Sequence, residues 1–185
     1  MLSCGDLPFD YLEYLVSRLD VPLLYVPGNH DPGLKPPDST WIPMQFEPAS
    51  LGPPGCENID GRVVDVGGLR VAGLGGSIRY REGANQYTQR QMRWRAVAIE
   101  LRVRLKRVRG GSKLDVIVTH APPAGLLEHQ DAAHAGFAAF HRLLRELRPV
   151  LLVHGHVHPF GRGRPERLVG STRVVNAVPS LMIEI

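Results

Sequence analysis

The sequence predicts an α/β protein in which helices cover mixed β-sheets. Two observations support this fold class. Short apolar runs typical of buried strands alternate along the chain with segments of helical periodicity, and paired glycines between two further runs indicate an antiparallel hairpin. With 185 residues, of which 43% are hydrophobic, the chain can bury the core of a single domain, which we place over residues 1–185.

Composition excludes several other classes of protein. The 20 glycines and 16 prolines predict many loops, but they stay below the content that is typical of disordered chains. The two cysteines, Cys4 and Cys56, are too few for a disulfide scaffold or a cysteine-rich zinc module. No apolar run approaches the roughly 20 residues of a membrane-spanning helix, and the amino terminus does not resemble a secretory signal. We therefore expect a cytoplasmic protein with free thiols and no membrane anchor.

The first third of the chain is predicted to form a helix, a strand and a long loop. Pro8 favours the first turn of a helix, and apolar residues at helical spacing continue it. Residues 22–26 are a short apolar run that ends at a Pro-Gly pair, as expected of a buried strand. Residues 32–60 contain seven prolines and little periodicity, which indicates a long surface loop of the kind that often contributes to function.

The remainder of the chain alternates between strands and helices. Residues 63–66 and 69–74 flank Gly67 and Gly68, the pattern of a β-hairpin. The later elements are predicted as strands at 114–119 and 150–153, a helix at about 136–147, and antiparallel strands within 168–185.

A strongly basic segment lies between the hairpin and the next strand. Residues 90–109 contain seven arginines and Lys106 but only one acid, Glu100. The positive net charge of the whole chain, +4, therefore comes from this segment. Apolar residues at helical spacing predict an amphipathic helix with its apolar stripe on the core. The stripe consists of Trp94, Val97, Ala98, Leu101, Leu105 and Val108. The arginines are interpreted as a solvated outer face, with a surface for nucleic acid or another anionic partner as the alternative.

Polar clusters directly follow the predicted strands. They are Gly28-Asn29-His30-Asp31 after the strand at 22–26, His120 after the strand at 114–119, and Gly155-His156-Val157-His158 after the strand at 150–153. Ligand sites of open α/β sheets lie beyond the carboxyl ends of the strands, so these clusters and Gly5-Asp6 are expected to converge on one crevice. Imidazoles, an amide oxygen and a carboxylate form a mixed set of ligands that suits Mn, Fe, Zn or Ni better than Ca.

These motifs and their order resemble the calcineurin-like metallophosphoesterase family. The resemblance runs from Gly5 to the carboxyl terminus and implies a four-layer α/β/β/α sandwich with two divalent metal ions. His120 and the Ala-Pro-Pro that follows it are most similar to a subset of the family that includes phosphodiesterases.

The resemblance also implies a role for each motif residue. Asp6 would bridge both metal ions, Asn29, His120 and His156 would complete one metal site, and His158 would bind the other metal. Asn29 and His30 would contact the substrate. His30 would assist the leaving oxygen as the catalytic acid, and Asp31 would orient His30. A histidine held by a carboxylate can donate a proton near neutral pH.

The sequence departs from the family pattern at its amino terminus. The family begins with a strand that ends in Asp-x-His, and no aspartate of this chain starts such a motif. The sequence therefore predicts a domain that is incomplete at the amino terminus, either a shortened form of a longer enzyme or a natural short form. One metal site then keeps only Asp6 and His158.

Three functional hypotheses follow. The first is a metal-dependent phosphoesterase, and within that class a phosphodiesterase of small substrates that uses a metal-bridging hydroxide. The alternative is a non-catalytic or weakly active metal-binding module. The third, suggested only by the basic helix, is a relative of nucleases that binds nucleic acid.

Several polar residues outside the motifs are interpreted as structural. His129, His134 and His141 are expected at the surface, and His154 at the end of its strand. Asp131 is open to two interpretations, since it could hydrogen-bond a histidine behind the metal site or simply form a turn.

Overall fold

In this computed structural model, residues 1–33, 52–108, 110–126, 131–158 and 166–185 are described. Within them the chain forms three helices and eleven strands. The helices are α1 (Phe9–Leu19), α2 (Gln89–Val108) and α3 (Ala139–Leu147). The strands are β1 (Leu2–Ser3), β2 (Leu23–Tyr25), β3 (Cys56–Asn58), β4 (Val63–Val66), β5 (Leu69–Leu74), β6 (Ser77–Ile78), β7 (Gln86–Tyr87), β8 (Val116–Thr119), β9 (Leu151–His154), β10 (Glu166–Val169) and β11 (Thr172–Asn176).

The strands form two main sheets. The smaller has the order β1-β2-β3 and is parallel throughout. The larger has the order β10-β11-β9-β8-β5-β4. It is parallel at its centre and antiparallel at both edges, where β10 pairs with β11 and β4 with β5. The predicted mixed sheet is therefore confirmed.

The two sheets and three helices stack in four layers, α/β/β/α. Side chains alternate between the two faces of a strand, so β2 contributes to two different cores. Leu23 and Tyr25 pack with Leu12 of α1 on the outside, whereas Leu24 packs inward against the large sheet. The other face of the large sheet is covered by α2 and α3 in the largest apolar core, which includes Phe140. Burial of each such side chain stabilises the fold by roughly 1.5–3 kcal/mol.

The structure also corrects two predictions about the strands. Strand β3 lies within the predicted loop at 32–60, and its polar sequence gave no signal of a strand. Residues 34–51 of that loop lie outside the described residues. The antiparallel strands predicted within 168–185 are confirmed as β10 and β11, but they end at Asn176 and residues 177–185 form no strand. Pro179 in this last segment cannot donate to a sheet.

Helix α2 packs on the core with a different face from the one predicted. Its buried apolar residues are Met92, Ala96, Ile99 and Val103. Trp94 and Val108 of the predicted stripe are instead 64% and 87% exposed.

The charged neighbours of the two faces explain this orientation. The basic residues of α2 that lie beside its buried face form ion pairs. Arg95 pairs with Asp60, and Lys106 Nζ lies 3.0 Å from Asp65 Oδ2. Packing the predicted stripe on the core would instead bury its flanking arginines, at a large desolvation cost. None of the helices in the described ranges is long and apolar enough to cross a membrane.

Candidate metal centre

Four loops meet at the carboxyl ends of strands from both sheets. Asp6 follows β1, Asn29 follows β2, and His120 and His156 follow β8 and β9. The imidazole of His120 joins the sheets, because its Nδ1 lies 2.6 Å from the carbonyl oxygen of Cys4. The topology thus brings together residues that are up to 150 positions apart in the sequence.

Two glycines allow these loops to approach so closely. A Cβ atom on Gly5 would lie within 3.0 Å of the backbone nitrogen of Gly28, and a Cβ atom on Gly28 would overlap the carboxylate of Asp6. Gly5 also has a φ of 87°, which other residues rarely adopt. The glycines of the Gly-Asp and Gly-Asn-His-Asp motifs are therefore required by the geometry of the site.

The centre of the site is a group of acceptor atoms around His120. Its Nε2 lies 3.0 Å from Asn29 Oδ1, 3.0 Å from His156 Nδ1 and 3.4 Å from Asp6 Oδ2. One ligand atom each from Asp6, His120 and His156 lies within 4.8 Å of the others. Together with Asn29 Oδ1, these atoms form a compact set of nitrogen and oxygen atoms whose lone pairs could bind a metal ion, and we call this set the donor group.

Hydrogen bonds at the back of each ring determine which nitrogen faces the centre. His120 Nδ1–H donates to the carbonyl oxygen of Cys4, and His156 Nε2–H donates to that of Ala133 at 3.0 Å. Carbonyl oxygens only accept, so in the neutral rings the facing nitrogens, 3.0 Å apart, both carry lone pairs. Two lone pairs at this distance repel unless a cation lies between them. The chemistry of the donor set therefore fits a divalent metal ion.

Asn29 and Asp6 are oriented in the same way. Asn29 Nδ2–H donates to the hydroxyl oxygen of Tyr80 at 3.3 Å, which turns Oδ1 toward the histidines. Asp6 Oδ1 accepts from the backbone N–H of His30 at 2.8 Å, which leaves Oδ2 for the centre. All four donors thus have a second contact that fixes their direction.

The backbone is strained at two of these residues. Asp6 and His156 have φ angles of 60° and 65° in the left-handed region. Such conformations cost on the order of 1–3 kcal/mol each and persist at functional sites because the surrounding structure holds them. Here they point both side chains into one crevice.

Burial keeps the two histidines neutral, as metal ligands must be. It lowers the pKa of His120 to about 4, and it also lowers the pKa of His156. Both therefore present free lone pairs at neutral pH.

The sequence also matches a model of a known protein family. The model of the calcineurin-superfamily metallophosphoesterases matches residues 8–180. The chain belongs to this family. The resemblance stated from the motifs, and the fold that it implied, are thereby confirmed.

Solved structures share the fold of this chain. One is 22% identical, with a TM-score of 0.58, and the match covers 91% of this chain and 62% of that chain. Another, the protein TT1561 of Thermus thermophilus, is 19% identical with a TM-score of 0.53, and the match covers 91% and 68% of the two chains. No sequence among the curated proteins matches this chain significantly.

Two of the predicted site residues lie outside the donor group. The side chain of His158 is exposed and takes no part in the donor group found among the described residues. His30 is exposed as well and contacts Asp6 through its backbone N–H. The structure therefore brings together Asp6, Asn29, His120 and His156, with His30 at the rim.

Asp31 makes contacts that differ from those predicted. Its Oδ2 accepts hydrogen bonds from the backbone N–H of Gly28 at 2.7 Å and of Asp6 at 3.0 Å. No hydrogen bond joins it to the ring of His30 in the described part of the chain, and both amide hydrogen bonds end on Oδ2. Asp31 thus ties the two ligand-bearing loops to each other, and the orientation of His30 by Asp31 stays a prediction.

Asp131 forms a turn, which is one of the two interpretations left open by the sequence, and the support that this turn gives to His156 was not predicted. Asp131 Oδ1 accepts from the backbone N–H of His134 at 3.0 Å and lies 2.6 Å from its Nδ1. This turn places the carbonyl oxygen of Ala133 behind His156, and the rings of His134 and His156 lie 4.8 Å apart. The available signal was the Asp-x-x-His spacing, in which a side-chain oxygen can cap the turn. His134 is therefore part of the site, and His129 lies outside the described residues.

The buried histidines predict that the metal-free protein loses stability in acid. Burial lowers the pKa of His154 from 6.5 to about 4. Between these values the unfolded state binds a proton that the folded state does not, so the free energy of unfolding falls as the pH falls from 6.5 to 4. The loss for His154 reaches about 3 kcal/mol. Urea unfolding at pH 7 and pH 4.5 measures it, and His154→Gln should weaken the pH dependence. An equally steep pH dependence in that variant would contradict this assignment.

Proposed function

We propose that this metallophosphoesterase is a metal-dependent hydrolase of phosphodiesters. The observation that carries the proposal is the convergence of four acceptor atoms, with His120 Nε2 3.0–3.4 Å from the other three. A divalent cation among these atoms would satisfy their facing lone pairs. The phosphodiesterase class is supported by the His-Ala-Pro-Pro motif at 120–123.

Asp6, Asn29, His120 and His156 would hold one metal ion, drawn from Mn, Fe, Zn or Ni. Asp6 and His158 would contribute to a second site. When bound, the two cations would supply a bridging hydroxide as nucleophile and neutralise charge on the phosphoryl oxygens.

His30 is the residue that we assign to proton transfer. The hydrogen bond from its backbone N–H to Asp6 Oδ1 places residue 30 beside the donor group, and its exposed side chain is accessible to a substrate. The imidazole would contact the phosphate together with Asn29 and donate a proton to the leaving oxygen. Asp31 would act as a positioning residue by holding the loop that carries His30.

Hydrolysis of bis-p-nitrophenyl phosphate in the presence of Mn²⁺ tests this function. We expect hydrolysis that a chelator abolishes. His30→Ala should reduce turnover by about 10²–10⁴-fold at unchanged metal affinity. His141→Ala is the matched control, since its ring lies outside the donor group and hydrogen-bonds the carbonyl oxygen of Ala124.

The side chain of His158 is exposed and lies outside the donor group, which favours a second candidate function. In this alternative the chain is a metal-binding module with little or no catalytic activity. Tight metal binding without hydrolysis of diesters or monoesters would support it over the enzyme.

The role of His30 has its own test. Equal losses of metal binding and activity in His30→Ala would make His30 a ligand and contradict its role in proton transfer.

A further inference from the structure

Helix α2 carries two apolar stripes on opposite sides, and only one of them is buried. The second, which we call the outer stripe, consists of Trp94, Ala98, Leu101, Leu105 and Val108. Leu101 and Leu105 are 56% and 58% exposed, and Trp94 and Val108 are more exposed still. No described part of the chain covers them, so the helix presents a continuous apolar ridge to its surroundings.

The spacing of the outer stripe is that of a helix–helix interface. Its residues follow each other at intervals of 4, 3, 4 and 3, as the a and d positions of a heptad repeat do. At 1.5 Å per residue the stripe from Trp94 to Val108 extends over about 21 Å, or roughly four turns. A second helix of at least this length could pack along it with interlocking side chains.

The charges beside the outer stripe select an acidic partner. At 100° per residue, Arg93 and Arg104 border one side of the stripe and Arg102 borders the other. Arg93 and Arg102 form no ion pair with any of the described acidic residues. The one acid of the helix, Glu100, is buried and pairs with Arg104 and Arg142. A second copy of α2 would therefore bring arginine against arginine, which disfavours self-association through this face.

We propose that the outer stripe docks an amphipathic α-helix of a partner protein, with apolar residues at heptad spacing and glutamate or aspartate on both flanks. The apolar residues would pack on Leu101 and Leu105, and the acidic residues would pair with Arg93 and Arg102. This surface lies on the helical layer of the large sheet and uses none of the residues of the metal centre.

A synthetic helical peptide with leucine at its a and d positions and glutamate at e and g tests the proposal. Fluorescence anisotropy of the labelled peptide should show saturable binding to the full chain. Leu101→Ser with Leu105→Ser, and separately Arg93→Glu with Arg102→Glu, should each weaken binding at least about tenfold. Leu168→Ser is the matched control, because Leu168 is a 71% exposed leucine on β10. Lysine in place of glutamate in the peptide should abolish binding.

Several outcomes would overturn the proposal. One is failure of the acidic peptide to bind, and another is binding that neither double variant weakens. Sedimentation that shows a dimer broken by the leucine variants would assign the stripe to a second copy. Preferred binding of phosphatidylglycerol vesicles or duplex DNA over the peptide would assign it to a membrane or to nucleic acid. The variants alter exposed side chains, so circular dichroism should show an unchanged fold.

Discussion

Replacement of His120 by alanine is expected to remove tight metal binding and with it the proposed phosphoester hydrolysis. His120 is the central donor, with Nε2 within 3.4 Å of the donor atoms of Asp6, Asn29 and His156. Loss of residues that merely support metal ligands already weakens metal affinity by about 10–100-fold, and loss of a ligand should exceed this. Activity should fall by at least roughly 10²–10³-fold, as for other groups that stabilise charge in the transition state.

Calorimetric titration with Mn²⁺, together with the diester assay, measures both effects. His120 is fully buried, so thermal unfolding of the variant without metal must show that it still folds. His120→Asn is a second variant that keeps a polar side chain there. His141→Ala, which removes a histidine outside the donor group, should leave metal affinity unchanged. Retention of wild-type affinity by both folded His120 variants would show that His120 is not a ligand.

The second large effect is expected from Gly28→Ala, which adds a single methyl group. The new Cβ atom would overlap the carboxylate of Asp6. Gly28 has no left-handed backbone, so the effect would be steric and not conformational. Displacement of Asp6 should lower metal affinity by about tenfold or more, and overpacking should destabilise the fold by about 1–3 kcal/mol.

Gly33→Ala is the matched control for this substitution. It lies in the same loop, and among the described residues a Cβ atom there would meet only the Cβ atom of Ala84, at 3.2 Å. Metal titration and urea unfolding of both variants separate the two sites. Equal effects of Gly28→Ala and Gly33→Ala on metal affinity would contradict the close approach of the Gly28 loop to Asp6.

The sequence could predict the position of the site because the ends of parallel strands meet at one edge of a sheet. Asn29, His120 and His156 each follow a short apolar run, and this placement was sufficient to group them. Their orientation could not be predicted. It depends on backbone carbonyl oxygens such as that of Ala133, which residue types do not reveal. The turn between Asp131 and His134 has a signal in its Asp-x-x-His spacing, but this spacing does not show that the turn lies behind His156.

The packing of α2 shows a different limit of prediction from sequence. Both stripes of the helix have helical spacing, so periodicity alone could not decide which of them faces the core. The choice depends on where distant acids lie. Asp60 and Asp65 pair with Arg95 and Lys106 at the edge of the buried face, and only the folded structure brings these charges together.

Anomalous diffraction from crystals grown with Mn²⁺ tests the metal centre most directly. The described donors predict a peak surrounded by Asp6 Oδ2, Asn29 Oδ1, His120 Nε2 and His156 Nδ1, at metal–ligand distances of about 2.0–2.3 Å. His120 Nδ1 and His156 Nε2 should keep their hydrogen bonds to the carbonyl oxygens of Cys4 and Ala133. The assignment would be contradicted by a peak at another site, or by the absence of a peak between these four atoms at saturating Mn²⁺.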